Sequence, residues 1–235
     1  MPVISISVII PVINEAEQLL TLIPYLQKMP YRESLHEIIV TDGGSTDNSI
    51  KIAEIFGVTI VKSLKGRAVQ MNTAAKTANG NVLYFLHADT LPPAGAWGAI
   101  SNAIGNGTDA GCFRLQFETK SLFLKLNAWV TRFNINAIRF GDQSLFVKKE
   151  VFQSVGGFDE KHIVLEDQNI ITRISKNFRF KVLPFAVRTS DRKYRENGYV
   201  KLQSIFFIIY LLYKLGVPQQ KLVSLYRKWI RKGKV

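Results

Sequence analysis

Apolar and polar positions alternate in blocks along the first 120 residues. The β-rich run "ISVIIPV" is followed by "EAEQLLTLIPYLQKM", whose apolar positions recur at helical spacing. "HEIIVTD" precedes "NSIKIAEIFG", "VTIVKS" precedes "RAVQMNTAAKTANG", and "NVLYFLHAD" leads to a helix predicted around Trp97 to Ile104. Strands alternating with helices of this length predict an α/β fold with a Rossmann-like, mainly parallel central sheet and helices on both faces. Right-handed crossovers bring the strand carboxyl ends to one edge, where open α/β sheets hold their ligands.

That edge is acidic. The first strand runs into Asn14-Glu15, the second into Asp42 and the fourth into His87-Ala88-Asp89. Alternation along a strand predicts that His87 and Asp89 point to the same side, where they could share one ligand, most simply a metal ion. A strand end that merely meets water is the plainer alternative. Three acidic strand ends at one edge point to a site, because surface carboxylates usually sit on helix faces and loops.

The section from Ala110 to Gly157 is less regular. "GCFRLQFE" reads as a strand, "LFLKLNAWVTRFNINAI" as an apolar helix, "SLFVKK" as a short strand and "GGFDE" as a turn. "EDQNIITRISKNF" reads as a helix that begins near Glu166-Asp167, and the helix dipole also favours carboxylates there, so capping is an alternative for that pair. In "TDGGSTDNS", Gly43-Gly44 let the backbone approach a ligand and Asp42 can accept hydrogen bonds from a base or ribose. Ser45 and Asp47 read equally as helix caps, capping being the preferred role for Asp47. Neither a G-x-G-x-x-G fingerprint nor a P-loop occurs. Lys65 and Arg67 flank a glycine ahead of a helix, where they could hold phosphate oxygens; a solvated basic turn is the alternative.

Composition narrows the classes. With 235 residues, 47% hydrophobic and 21% charged, the chain is globular and can bury a substantial core. Its single cysteine, Cys112, excludes an internal disulfide and a cysteine-rich metal site; it points to a reducing compartment and reads as core. The N-terminal "MPVISISVIIPVINEA" lacks a basic leader and a small-residue cleavage site, so it reads as a first strand. No apolar run reaches the roughly 18 to 20 residues that a membrane span needs.

Charge is unevenly placed. From Arg188 onward stand twelve bases, Arg188, Arg192, Lys193, Arg195, Lys201, Lys214, Lys221, Arg227, Lys228, Arg231, Lys232 and Lys234, opposed only by Asp191 and Glu196. Most of the net charge of +13 therefore lies at the C-terminal end, which points to an anionic partner. "LQSIFFIIYLLY" is apolar around the whole helical circumference and predicts burial in protein or lipid. In "QQKLVSLYRKWIRKGK", Leu222, Leu225, Tyr226 and Trp229 share one arc, and Lys221, Arg227, Lys228, Arg231 and Lys232 the other. That is the pattern of a helix lying in an anionic membrane surface; a helix packed on the domain with a solvated basic face is the alternative. No nucleic-acid motif is present, so nucleic acid is not an expected partner. The expected organisation is one domain over 1–190 and a basic amphipathic helical appendage over 191–235.

Taken in order, "SVIIPVINE", "IIVTDGGSTDNS", "KGRAVQMNTAA", "LYFLHADT", "GGFDE" and "LEDQNI" resemble the motifs of family 2 glycosyltransferases of the GT-A fold, from about Ser5 to Ser175. The C-terminal "TSDRKYRENGYVKLQSIFFIIYLLYKLGVP" is similar to a small bacterial subgroup of that family. The resemblance implies a GT-A-like fold and transfer of a sugar from a nucleotide sugar, UDP- or GDP-linked, to a hydroxyl acceptor, with a lipid-linked acceptor as a candidate. By position it implies Pro11, Glu15 and Asp42 on the nucleotide, with Lys65 and Arg67 near it. Asp89 matches the last aspartate of the family's DXD motif, which holds a divalent cation, Mn²⁺ or Mg²⁺, on the diphosphate. Asp167 matches the general base, with Glu166 beside it to orient it or raise its pKa.

His87 departs from the family, which usually has a carboxylate there. Mg²⁺ prefers oxygen ligands, whereas Mn²⁺ also accepts imidazole. Either His87 is a weaker ligand, or it hydrogen-bonds the nucleotide and leaves Asp89 as the metal contact; the second is adopted. Asp142 and Gln143, in "FGDQS", are candidates for the acceptor site. The implied chemistry is single displacement with inversion, the cation neutralising the leaving diphosphate and a carboxylate taking the acceptor proton. The expected location is cytoplasmic, peripheral at the inner face of the plasma membrane. Two other classes compete. A sugar nucleotidyltransferase should carry a glycine-rich basic phosphate loop, which "PVINEAEQ" lacks; a catalytically inactive membrane-binding module is suggested by His87 and opposed by Asp89 and Asp167.

Overall fold

The computed structural model describes residues 3–133, 135 and 141–230. Strands β1 (Ile6–Val12), β2 (Leu35–Asp42), β3 (Thr59–Lys62) and β4 (Val82–Phe85) are parallel, with α1 (Ala16–Lys28), α2 (Ser49–Ile55) and α3 (Arg67–Thr77) between them. There follow β5 (Thr90–Leu91), α4 (Ala96–Gly105), β6 (Ala110–Glu118), α5 (Leu122–Val130), β7 (Leu145–Lys148), α6 (Lys149–Ser154) and α7 (Glu166–Asn177). The described chain ends with β8 (Phe180–Ser190), α8 (Arg192–Asn197), α9 (Tyr199–Lys214) and α10 (Gln219–Trp229). All eight strands form one sheet in the order β3-β2-β1-β4-β7-β6-β8-β5. It is parallel through the first half and mixed beyond, because β7 runs antiparallel to both β4 and β6.

Both faces of the sheet are covered. In β1, Ile6, Val8, Ile10 and Val12 pack with Leu19 and Ile23 of α1 and Trp97 of α4. Ile9 points the other way, among Met71 and Ala74 of α3 and Ile170 of α7. A strand buried on both faces reads as an unbroken apolar run, which is why "ISVIIPV" shows no polar alternation. Pro11 is tolerated because pairing with β4 stops at Ile9↔Phe85, so the missing N–H breaks no bond on that side. Cys112 is buried in β6, as its apolar context predicts.

β8 goes unread in the sequence because Pro184 interrupts it. Opposite β6, Phe113 pairs with Leu183 and Arg114 with Ala186, so Pro184 and Phe185 are the extra residues of a bulge that needs no ladder hydrogen bond from proline.

A third core joins the C-terminal helices to the end of β6 and to α5: Leu202, Ile205 and Ile209 of α9 and Leu222 and Tyr226 of α10 pack with Phe117 and Leu124. This corrects the reading of α10 as lying in a membrane surface on its Leu222 arc. Leu222 and Tyr226 are buried in protein, and Leu225 and Trp229 are half-buried, because apolar α9 supplies a partner alongside. α5 stops at Val130, where the pattern predicts helix to Ile138; residues 134 and 136–138 of that run, Phe140 of "FGDQS", and Arg231, Lys232 and Lys234 lie outside the described residues. No helix among the described residues is long and apolar enough to cross a membrane.

Candidate active site

The ends of β1 and β2 are tied into one surface. Asn14 sits in the left-handed region (φ 56°), which suits its short polar side chain, and its Oδ1 accepts from the Thr46 N–H at 2.8 Å. The Asp47 carboxylate accepts from the Ser49 N–H (2.9 Å) and from the Ala16 N–H (3.1 Å), so it caps the starts of both α2 and α1. Burial works against the Asp47 charge, but these bonds outweigh it and hold its pKa below the usual range. Asp42, buried at the end of β2, folds its own loop by accepting from Gly44 N–H (3.1 Å) and Ser45 N–H (2.9 Å). A carboxylate has about four acceptor sites, so Asp42 retains capacity for a ligand. Glu15 is buried beside a cleft of about 580 Å³ that Asp47 and Arg192 also line.

A residue absent from the sequence expectation holds this edge together. Gln70 of α3 donates through Nε2 to the Val12 carbonyl (2.9 Å) and the Thr41 carbonyl (2.8 Å), joining the last turns of β1 and β2. Gly43 leaves room for it, since a Cβ there would lie 2.9 Å from the Gln70 amide and push that side chain aside. A buried polar residue inside "RAVQMNTAA" is the signal that could have found it. The "GGFDE" turn is structural: Asn72 of α3 donates to the Phe158 carbonyl (2.8 Å) and accepts from the Phe158 N–H (2.9 Å).

The geometry at His87 differs from the strand expectation. β4 ends at Phe85, and His87 to Thr90 form a turn closed by the Thr90 N–H on the His87 carbonyl (3.1 Å). Strand alternation therefore does not govern His87 and Asp89. The His87 ring is mostly buried with Nδ1 at 3.5 Å from Asp142 Oδ1, whereas Asp89 is exposed. Burial disfavours the imidazolium, but the Asp142 bond prevails and His87 titrates above its ordinary value; for Asp142 burial is likewise outweighed, and it lies below its own. Gln143 is buried and donates to the Phe113 carbonyl (3.0 Å), pinning the short helical turn 141–143 onto β6.

Glu166 and Asp167 form the first turn of α7, entered through Leu165 in the left-handed region (φ 62°). Both are buried, and Arg67 reaches them from the start of α3, with Nη1 at 2.9 Å from Glu166 Oε1 and 3.9 Å from Asp167 Oδ2. Arg67 is thus occupied by these carboxylates, while Lys65 is exposed. Burial, reinforced by the neighbouring Glu166 charge and only partly offset by His87 and Arg67, pushes the Asp167 carboxyl up to about 7.

Asp167 lines a pocket of about 230 Å³ with Arg67, Asp142, Gln143 and Glu166. Its far wall is C-terminal: Lys193 and Tyr194 of α8, Phe206 and Tyr210 of α9, and Tyr226 of α10. In the sequence Lys193 reads only as part of the basic segment. Its ammonium lies 5.1 Å from the Phe206 ring centroid and 4.9 Å from that of Tyr226, whose hydroxyl accepts its hydrogen bond. The pocket therefore combines a carboxylate that titrates near neutrality with aromatic walls and a buried-edge cation.

Among the described residues no group of three or more His, Cys, Asp or Glu side chains could cage a metal alone. Asp89 forms no hydrogen bond or ion pair with a described residue, and His87 is engaged by Asp142. Such a donor set suits a cation held mainly by phosphate oxygens of a ligand with one protein carboxylate, as Mg²⁺ sites are commonly built.

The family model described as Glycosyl transferase family 2 matches residues 7–157. Glycosyltransferase AglE of Haloferax volcanii is 27% identical over 173 residues, 65% of this chain and 55% of that protein. A PGL/p-HBAD biosynthesis glycosyltransferase of Mycobacterium tuberculosis is 25% identical over 183 residues, 73% of this chain and 70% of that one. The chain thus spans little more than half the length of the Haloferax relative. Among solved structures, mannosyltransferase PcManGT from Pyrobaculum calidifontis, in complex with GDP-Man and Mn²⁺, superposes with a TM-score of 0.71 at 19% identity, covering 90% of this chain and 63% of its own. Glucosyl-3-phosphoglycerate synthase from M. tuberculosis, in complex with Mn²⁺, UDP and glucosyl-3-phosphoglycerate, gives 0.62 at 18%, covering 92% and 81%. At these identities the structural likeness establishes the GT-A fold alone. The family model covers well over half of the residues, including both strand-end loops and the His87–Asp89 turn, and the chain belongs to glycosyl transferase family 2.

Proposed function

We propose that the protein is an inverting glycosyltransferase that moves a sugar from a UDP- or GDP-linked donor to the hydroxyl of an amphiphilic, lipid-linked acceptor. The observation that carries this reading is Asp167, buried in a pocket wall with its carboxyl pushed up to about 7. A general base works best when its pKa lies near the operating pH. Asp167 accepts the acceptor hydroxyl's proton as that oxygen attacks the anomeric carbon from the face opposite the diphosphate. Glu166 raises its basicity, and Arg67, bonded to Glu166 at 2.9 Å, fixes both carboxylates on α7.

On the donor side, Pro11, Glu15 and Asp42 line the nucleoside end at the carboxyl edges of β1 and β2, and exposed Lys65 is the base left to meet the phosphates, because Arg67 is held by Glu166 and Asp167. Asp89 would hold a divalent cation, Mn²⁺ or Mg²⁺, which would supply charge neutralisation for the leaving diphosphate. His87, braced by Asp142, donates to the nucleotide. GDP-Man with Mn²⁺ in the Pyrobaculum enzyme and UDP with Mn²⁺ in the mycobacterial synthase support this assignment.

The aromatic far wall supports an amphiphilic acceptor, with Asp142 and Gln143 beside its reacting hydroxyl. Functionally, residues 1–190 form the GT-A-like part, and in the appendage that begins at 191 the helices α8 to α10 close the acceptor pocket and keep the protein peripheral on an anionic membrane.

Donor hydrolysis and transfer by Asp167→Asn test the reading. Turnover should fall by about 10²–10⁴ while nucleoside diphosphate affinity stays at the wild-type value. Undiminished turnover would remove Asp167 as the base.

A further inference from the structure

We propose that the outward faces of α5 and α9 together form a docking surface for an anionic lipid bilayer. This deepens the membrane-facing part of the reading above, and its geometric basis is independent of the sugar chemistry. On α5, Leu122 (79% exposed), Leu126 (64%) and Trp129 (47%) follow one another at helical spacing along a single face, with Phe123 beside them. On α9, Phe207 (59%), Ile208 and Leu211 do the same, with Leu215 (79%) at the C-cap just beyond, although Leu202, Ile205 and Ile209 on its other side are buried. The two helices lie side by side, joined by Asn127 Nδ2 donating to Gln203 Oε1 at 2.6 Å. Phe123 stands one turn before Asn127 and Phe207 one turn after Gln203, so the two apolar faces meet at this bond. Scattered exposed apolar residues are ordinary, but a continuous two-helix face of this kind marks an interaction site.

Charge selects the occupant. No Asp or Glu occurs between Glu118 and Asp142, and none follows Glu196. Lys120, Lys125 and Arg132 border the α5 face, and Lys201 and Lys214 stand near the two ends of α9. The Arg132 guanidinium lies 4.4 Å from the Trp129 ring centroid, and the Lys214 ammonium 5.6 Å from that of Tyr210. Aromatic and aliphatic side chains framed by bases, without any carboxylate among them, match acyl chains beneath anionic headgroups. The face is also continuous with the catalytic pocket: Asn127, Gln203, Phe207 and Tyr210 line the hollow that holds Asp167. A lipid-anchored acceptor would therefore reach Asp167 from the bilayer without crossing open water.

The test is sedimentation of the full chain with phosphatidylcholine vesicles, with and without phosphatidylglycerol. The variants are Leu126→Glu with Leu211→Glu, neither residue lining the pocket, and Arg227→Glu with Lys228→Glu on the exposed arc of α10. Wild type should bind the anionic vesicles, the α5–α9 variant should bind about tenfold more weakly or worse, and the α10 variant should stay within about twofold of wild type. Lys125→Glu with Lys214→Glu leaves every apolar side chain of the face in place and must weaken binding as well, which keeps the test open if the first variant fails to fold. Wild-type affinity in both α5–α9 variants, or loss only in the α10 variant, overturns the proposal. So does a wild type that ignores vesicles but self-associates through this face in sedimentation velocity. Titration of UDP and GDP with Mn²⁺ on the same proteins separates the two readings: vesicle binding without nucleotide binding sinks the transferase and leaves the docking face standing.

Discussion

At the residue scale the account turns on Asp167. Its carboxyl, pushed from an ordinary 3.8 to about 7, must be ionised to take a proton, so kcat/KM should rise with pH and level off above about 7. A flat profile across that range would exclude it. The same shift bears on stability. The folded state binds this proton more tightly than the unfolded chain, so ionisation costs stability from about pH 4 upward, in full above about pH 7. Asp167→Asn removes that cost and should melt above wild type at about pH 8, with the two curves converging toward about pH 4. Lys193 is the second residue to test. Lys193→Met should raise the acceptor KM severalfold while donor hydrolysis and nucleotide affinity hold, and an unchanged acceptor KM would reduce it to a packing role. Asp167 could be singled out only through its motif, and its environment was not legible. Arg67 lies 99 positions from Glu166, and no local pattern reports an ion pair across that distance. Lys193 was hidden for the opposite reason: it sits in a run of bases that reads as a solvated face.

At the element scale, β1 to β4 could be read because each is a short apolar run followed by a helical period, and burial on both faces erases polar alternation. β8 could not, since Pro184 argues against a strand until a bulge across from β6 is seen to absorb it. The His87–Asp89 turn reads as strand in the sequence because "VLYFLHAD" stays apolar past Phe85, although the last bond to β1 is that of the Leu86 N–H to the Ile9 carbonyl. Two substitutions test how these elements are held. A Cβ on Gly111 of β6 would lie 2.2 Å from the Lys181 carbonyl of β8 and 2.4 Å from the Phe146 ring of β7. The backbone oxygen cannot swing away, so Gly111→Ala should destabilise by about 3 kcal/mol or more in urea unfolding. Gln70→Ala removes both side-chain bonds, although the Val12 carbonyl keeps the Gly43 N–H (3.0 Å), and should cost about 1–2 kcal/mol, with weakened nucleotide binding as the β1 and β2 ends loosen. A Gln70→Ala protein of wild-type stability would show that the two strand ends are held by other contacts.

For the whole molecule, the two halves of the chain divide the work. The family-matched residues 7–157 build the sheet edge that carries Glu15, Asp42 and Asp89, and the later helices build the wall facing Asp167. The excess of bases near the C-terminus was legible from composition, but which helix face it serves was not, because the arc of α10 that looked amphipathic is buried against α9. The central claim of the transferase reading at this scale is that Asp89 and a divalent cation together hold a nucleoside diphosphate at that edge. Calorimetric titration of UDP, GDP, dTDP and CDP, with and without Mn²⁺, on wild type and Asp89→Ala tests it most directly. The account predicts Mn²⁺-dependent binding of one nucleotide, lost in Asp89→Ala at unchanged melting temperature. Binding of none, or binding that ignores both the metal and the substitution, would contradict it.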